Sequence, residues 1–296
     1  MKKFVIITDS CSDLDRELRE KYNIDYIPMH LLVDGKEYDA SLDYEYLSYS
    51  ETYKLLREGV RIKTAQIIES EYTNKFEEYL KQGYDVLSLS CSSALSHSVD
   101  ESYVARDKLL EKYPDSKIVC VDTLNACFGL GLLCIRASQL RDEGKSIEET
   151  ADWIIKNRKT VNQECTVESL KYLKQAGRVS AASAFFGGLL SVKPIIVSDK
   201  VGCNHAVEKV KGRKNSIDRL VERFKEEYLS CPHQMVRVVH ADGVEDGMLL
   251  LDKITQAIPD KDVEITFGKI GPIVGSTTGP GTLAVYFYGK EVQVEG

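Results

Sequence analysis

Through the first half of the chain, short runs of consecutive apolar residues alternate with longer stretches in which apolar residues recur every three or four positions. Phe4-Val5-Ile6-Ile7 is the first run. It ends on Thr8-Asp9-Ser10 and leads into a stretch of helical spacing from Asp13 to Tyr22. Ile24 to Val33 reads as strand and enters a turn at Asp34-Gly35, a dipeptide suited to the positive φ angles of a type I′ hairpin. A helical segment follows from Asp43 to Glu58. Asp85 to Ser90 and Lys117 to Val121 read as buried strands, each trailed by a long amphipathic helix. Strands alternating with helices predict a mostly parallel sheet covered on both faces. The binding crevice of such a sheet lies at the carboxyl ends of its strands. Polar clusters fall there repeatedly: Thr8-Asp9-Ser10, Ser88 to Ser96, and Asp122-Thr123.

The pattern shifts between Asn157 and Gln163. Further strands read at Glu164 to Val167, Ser191 to Val197, Met235 to Val239, Val263 to Phe267 and Thr282 to Tyr288, with fewer helices between them. The last alternates as a half-exposed strand would. A chain of 296 residues outgrows one comfortable core. The expected architecture is α/β with two domains: residues 1–160 around the parallel sheet, and 161–296 forming a smaller mixed α/β domain.

Composition narrows the function. Lys and Arg number 39 against 46 Asp and Glu, a formal net charge of −7, which gives little counterion release on DNA and argues against nucleic acid as the main partner. The apolar run after the N-terminal lysines is too short for a secretory signal, and no window offers the ~20 apolar residues needed to cross a bilayer. The eight cysteines form no C-x-x-C pair and several sit in apolar patterns. They read as buried free thiols of a cytoplasmic protein, with neither a metal site nor a disulfide framework. Enzyme signatures fail too: a phosphate loop and H-E-x-x-H are missing, and the five histidines lack ligand spacing. Gly129-Leu130-Gly131 sits inside a helical pattern, as helix packing would require. Gly275-Ser276-Thr277-Thr278-Gly279 outlines a nucleophile elbow, but Pro280-Gly281 and a strand follow it where a helix is needed.

Five stretches, in order, span nearly the whole chain. They are Thr8-Asp9-Ser10-Cys11-Ser12-Asp13-Leu14; Lys63-Thr64-Ala65-Gln66; Ser92-Ser93-Ala94-Leu95-Ser96; Ser169 to Ser180 with Leu189 to Ile195; and Ile270 to Gly281. Together they resemble the DegV family, whose corresponding patterns are T-D-S-x-x-D-L, T-T-S-Q-P, S-S-x-L-S-G, L-x-Y-L-x-x-G-G-R-I-S with L-N-I-K-P-I, and I-G-x-V-I-G-T-H-T-G-P-G. The resemblance implies a long-chain fatty acid in a tunnel between the domains, with its carboxylate fixed by hydroxyls. By position these are Thr64 and Ser96, with Ser93 and Thr277 as second-rank donors. It also implies a partner, an ATP-dependent fatty acid kinase that makes acyl phosphate for phospholipid synthesis. The family's basic stretch V-R-G-R-K-K-A aligns with Val210 to Asn215, which makes Arg213 the candidate partner-facing residue. The fatty acid is the ligand, and no cofactor is implied.

The physics of such a site stands apart from the family name. A carboxylate in an apolar tunnel must be hydrogen-bonded or it will be neutralised or excluded. Burying about 15 methylenes at ~0.8 kcal/mol each gives a gross gain on the order of 12 kcal/mol, so the chain supplies affinity and the hydroxyls supply orientation.

Simpler roles stand beside these. Thr64 could cap the helix that begins near Glu69, Ser96 could be an ordinary N-cap, and Arg178 could serve a structural ion pair. Departures from the family pattern gather at the head group: Ala65 for serine, Ile67 for proline, His97 for glycine, Thr277 for histidine, and Lys211 for the first basic-stretch arginine. Lysine cannot reproduce a bidentate guanidinium contact. Two other function classes stay open on the sequence: a lipid sensor that keeps its ligand, and an enzyme acting on a small phosphorylated metabolite in the same crevice.

Overall fold

The computed structural model describes residues 3–180 and 192–295. Its first part runs β1 (Phe4–Asp9), α1 (Arg16–Tyr22), β2 (Ile24–Ile27), β3 (His30–Val33), β4 (Lys36–Asp39), α2 (Tyr49–Arg57), β5 (Lys63–Ala65), α3 (Glu69–Lys81), β6 (Asp85–Ser90), α4 (Ser98–Lys112), β7 (Ile118–Asp122), α5 (Phe128–Asp142) and α6 (Ile147–Asn157). The second runs β8 (Val161–Thr166), α7 (Leu170–Ala176), β9 (Val179–Ser180), β10 (Val192–Ser198), β11 (Asn204–Lys211), α8 (Arg213–Glu227), β12 (Met235–His240), α9 (Val244–Ala257), β13 (Glu264–Lys269), α10 (Pro272–Thr278) and β14 (Leu283–Tyr288). The Leu189-Leu190-Ser191 part of the fourth family stretch lies outside the described residues.

The parallel sheet has the order β2-β1-β6-β7. Helix α3 packs on α4 and α5 on α6, and both pairs touch the sheet, so its central strands β1 and β6 are buried along nearly their whole length. The strand expected over Ile24 to Val33 is two strands. Pro28 offers no N–H to a ladder, and the chain leaves the parallel sheet there to build β3 into an antiparallel sheet of order β4-β3-β5. The hairpin falls where the dipeptide put it, with Asp34 at φ 48° and Gly35 at φ 79°.

The third sheet is mixed, in the order β13-β12-β14-β8-β10-β11-β9, and it is the widest of the three. Its strands all follow Thr160, and those of the parallel sheet all precede it. Strand β14 lies inside it between β12 and β8, and all six of its residues are buried, where the sequence suggested half exposure. Its alternation is real, but both faces are covered. Leu283, Val285 and Phe287 join a core under α8 and α9 with Ile217, Leu220, Phe224, Leu250 and Ile254. Ala284, Tyr286 and Tyr288 face the other way, into a core continuous with Phe128 and Leu132 of the first part. The tyrosine hydroxyls that made the strand look amphipathic are satisfied inside: Tyr286 Oη donates to Gln163 Oε1 and Tyr288 Oη to the Leu132 carbonyl.

Gly129 and Gly131 serve packing, as read: a Cβ on Gly131 would lie 2.8 Å from the Ser12 carbonyl oxygen. All eight cysteines are free thiols, five of them buried. No helix among the described residues is long and apolar enough to cross a membrane.

Candidate functional site

A cavity of about 570 Å³ lies between the two sheets, within the usual size range of small-molecule sites. Thr64, Ser93, Ser96 and Thr277 all line it, and Arg213 does not. The carboxyl ends of β1, β6 and β7 form one side. The buried Asp9 carboxylate accepts from the backbone N–H of Cys11 (2.8 Å) and of Cys91 (2.7 Å), which ties the turn after β1 to the loop after β6. The other side comes from β8, β14, α7 and α10. Leu173, Ile196, Ile270, Ile273 and Val274 give this wall its apolar character.

Three small residues let α10 press against its neighbours. Gly271 and Gly275 sit so close to Asp13 and Tyr53 of the first part, and Gly279 so close to the Tyr172 ring of α7, that any Cβ would overlap them. Gly279 additionally holds φ 83°, a conformation that favours glycine.

The four hydroxyls differ in what already occupies them. Ser93 Oγ donates to Asp122 Oδ2 at 2.6 Å, so its proton is committed while that carboxylate is ionised. Thr277 Oγ1 donates to the Val274 carbonyl one turn back (2.8 Å). Ser96 Oγ accepts from the Ser98 N–H at 3.3 Å and shares a 3.0 Å hydrogen bond with Ser98 Oγ, which in turn accepts from the Ile67 N–H. Helix α4 starts at Ser98 with His97 in the cap position, so Ser96 closes a turn just ahead of the helix. Thr64 stands in β5, its backbone paired with Leu31, and its hydroxyl has no hydrogen-bond partner among the described residues. The cap position of α3 belongs to Ile68, so Thr64 is no helix cap.

Sequence reasoning left Arg178 between an ion pair and the site. Its side chain lines the cavity just beyond Gly177, which ends α7 in the left-handed conformation, and Nη1 donates to the Ala176 carbonyl (2.5 Å). His97 faces outward: its side chain is 77% exposed and its ring pairs with Asp100. Arg213, expected to face a partner, is tied to its own chain: Nε donates to Asp246 (2.7 Å) and Nη2 to the Gly281 carbonyl (2.6 Å). It holds the Gly279-Pro280-Gly281 turn.

Thiols in the wall are a feature that no motif spacing announces. Cys11, Cys91, Cys127 and Cys165 all line the cavity. Burial pushes the Cys165 thiol up to about 12, and burial together with the nearby Asp13 carboxylate holds Cys127 well above its ordinary value. These groups stay protonated and neutral, as wall and not as nucleophiles. Cys127 Sγ donates to Asp13 Oδ2 (2.7 Å). Burial raises Asp13 to about 7, opposed by that thiol and by Arg237. It raises Asp9 to about 6, against the two backbone donors. Among the described residues no cluster of three or more His, Cys, Asp or Glu side chains could hold a metal ion.

Two sheets closed over a cavity of mixed lining, with an apolar wall, neutral donors and one arginine among its described residues, define a two-lobed protein with a chamber of small-molecule size between the sheets. The chain belongs to the DegV family: the family model described as "Uncharacterised protein, DegV family" matches residues 3–290. A DegV domain-containing protein of Clostridium perfringens is 41% identical over 98% of both chains. A DegV lipid-binding protein from Thermotoga maritima superposes with a TM-score of 0.84 at 27% identity, covering 98% of this chain and all of the other. A fatty-acid-binding DegV protein from Thermus thermophilus does so with a TM-score of 0.85 at 26% identity and the same coverage.

Proposed function

We propose that the chain holds one long-chain fatty acid in the cavity between its sheets and presents the carboxylate to a separate ATP-dependent kinase. The observation that carries this reading is a cavity with one apolar wall whose lining also holds the guanidinium of Arg178 and a hydroxyl, that of Thr64, with no hydrogen-bond partner among the described residues. Thr64 donates to the carboxylate, Arg178 supplies the countercharge, and Ser96 adds its proton when the Ser98 hydroxyl is the donor in the bond the two serines share. Ser93 and Thr277 shape the site through the bonds they already make. The solved relatives support the ligand class, since the Thermus thermophilus protein binds fatty acid by its description.

The chain supplies no chemistry of its own in this reading. Its wall thiols are held protonated, and His97, the one histidine in the described lining, is turned to solvent. Eight unpaired thiols suit the reducing cytoplasm. Mass spectrometry of the freshly purified protein, native and after organic extraction, tests the proposal. A near-stoichiometric long-chain fatty acid is expected. An empty protein, or one carrying a polar metabolite, would mean that Ala65 and Thr277 have redirected the site.

A further inference from the structure

The cavity wall carries a buried amide where an acyl chain needs nothing polar. Strands β8 and β14 line the space with alternate residues, Cys165 and Gln163 from one, Ala284 and Tyr286 from the other. Gln163 and Tyr286 are register partners, and both are buried. Tyr286 Oη donates to Gln163 Oε1 (3.1 Å), and Gln163 Nε2 donates to Asn204 Oδ1 on β11 (2.9 Å). These bonds engage one of the two protons on Nε2 and one of the two lone pairs on Oε1. The other proton and the other lone pair have no partner among the described residues. The amide also stands away from the head-group hydroxyls. Thr282 is tied to Gly279 at the end of α10, the helix that carries Thr277. Tyr286 lies four residues further on through β14, about 13 Å at ~3.3 Å per residue.

We propose that Gln163 is a specificity residue that reads an oxygen substituent on the acyl chain, so that the preferred ligand is a long-chain fatty acid hydroxylated near mid-chain. The inference rests on the reading of the cavity as an acyl site. Methylenes laid against the amide leave its second N–H and lone pair unpaired and out of water, a loss that falls on every saturated chain. A ligand hydroxyl at that depth accepts from Nε2 or donates to Oε1 and removes it. A site built to bond a hydroxyl discriminates against the analogue that lacks one, because its own polar group is then stranded. The wall around the amide is Cys165, Ile196 and Ala284, which suit methylenes. The position of the oxygen along the chain is therefore read as well as its presence.

The test measures delipidated protein against stearic acid and two hydroxystearic acids, one with its hydroxyl beside the carboxyl and one with it at mid-chain. Wild type is expected to bind the mid-chain isomer about tenfold tighter than stearic acid. In Q163L that ratio should fall to one or below, while the ratio for the carboxyl-side isomer stays within about twofold of wild type. Because Q163L also strips Tyr286 Oη of its acceptor, Q163L/Y286F is measured beside it. A ratio of two affinities on one protein reads specificity apart from any general weakening of the variant. Stearic acid binding wild type as tightly as the mid-chain isomer would overturn the proposal, since a water or the plain chain then satisfies the amide. So would a mid-chain preference that survives in both variants. If stearic acid binds and the mid-chain isomer does not, the acyl reading stands and this one falls. If none of the three acids binds wild type, the acyl reading itself fails, and this one with it.

Discussion

Thr64→Val separates the hydroxyls that bind from those that build. Valine keeps the shape and the β-branch that suit β5, and the backbone pairing with Leu31 does not involve the hydroxyl. Since that hydroxyl has no partner among the described residues, its loss should leave stability within about 0.5 kcal/mol of wild type. A hydrogen bond to an ionised acceptor contributes roughly 1.5–3 kcal/mol, and a half-buried donor belongs at the lower end, so fatty-acid affinity should fall about tenfold. Ser93→Ala should behave oppositely: it removes the 2.6 Å donation to Asp122, costing about 1 kcal/mol of stability, and leaves affinity nearly unchanged. Thr277→Val breaks only a bond within its own helix turn and should move neither quantity much. Displacement of a fluorescent fatty acid from delipidated protein, paired with urea denaturation, reads both axes. Wild-type affinity in Thr64→Val, or a tenfold affinity loss in Ser93→Ala at unchanged stability, would refute the assignment by proton commitment.

Gly279→Ala should destabilise by about 2–4 kcal/mol in urea unfolding, because the new Cβ meets the Tyr172 ring and the residue must hold φ 83°. Asp13, raised to about 7 from 3.8, binds its proton more tightly in the folded chain than in the unfolded one. Its contribution to stability is therefore largest at low pH and is lost as pH rises from about 4 to about 7. Asp13→Asn should remove that slope, and equal pH dependence of wild type and variant in thermal melts would contradict the shift. Arg213→Ala should leave fatty-acid affinity within about twofold yet lower phosphorylation of the bound acid by a cognate kinase, through loosening of the Gly279-Pro280-Gly281 turn. An unchanged phosphorylation rate would mean that the turn held by Arg213 does not serve the partner.

Local pattern revealed the strands that local chemistry dominates. Asp85 to Ser90 was read with its true ends, because an apolar run bounded by turn residues has one good solution inside a parallel sheet. Strand β11 went unread: NHAVEKVK mixes charge into a position near the sheet edge, where only one or two residues need burial. Strand β14 was found but assigned the wrong exposure. The polar end of a tyrosine looks like a surface feature until Gln163 and the Leu132 carbonyl, brought near only by folding, take its proton.

The same division explains the site. The motifs located the hydroxyl residues of the cavity wall, since a loop after a strand and a glycine-bounded helix are local arrangements. What each hydroxyl can still do is decided by partners distant in sequence. Asp122 lies 29 residues from Ser93 and takes its proton, whereas Thr64 is left with none taken. Arg178 could be weighed as an ion-pair residue only because charge on a sequence has no address. In the folded chain it makes no ion pair among the described residues, and the guanidinium is left in the cavity wall. On the proposed reading a ligand that brings its own negative charge supplies the counter-ion that folding withheld, so the uncommitted groups, and not the most familiar motif residues, are the ones whose substitution should move affinity.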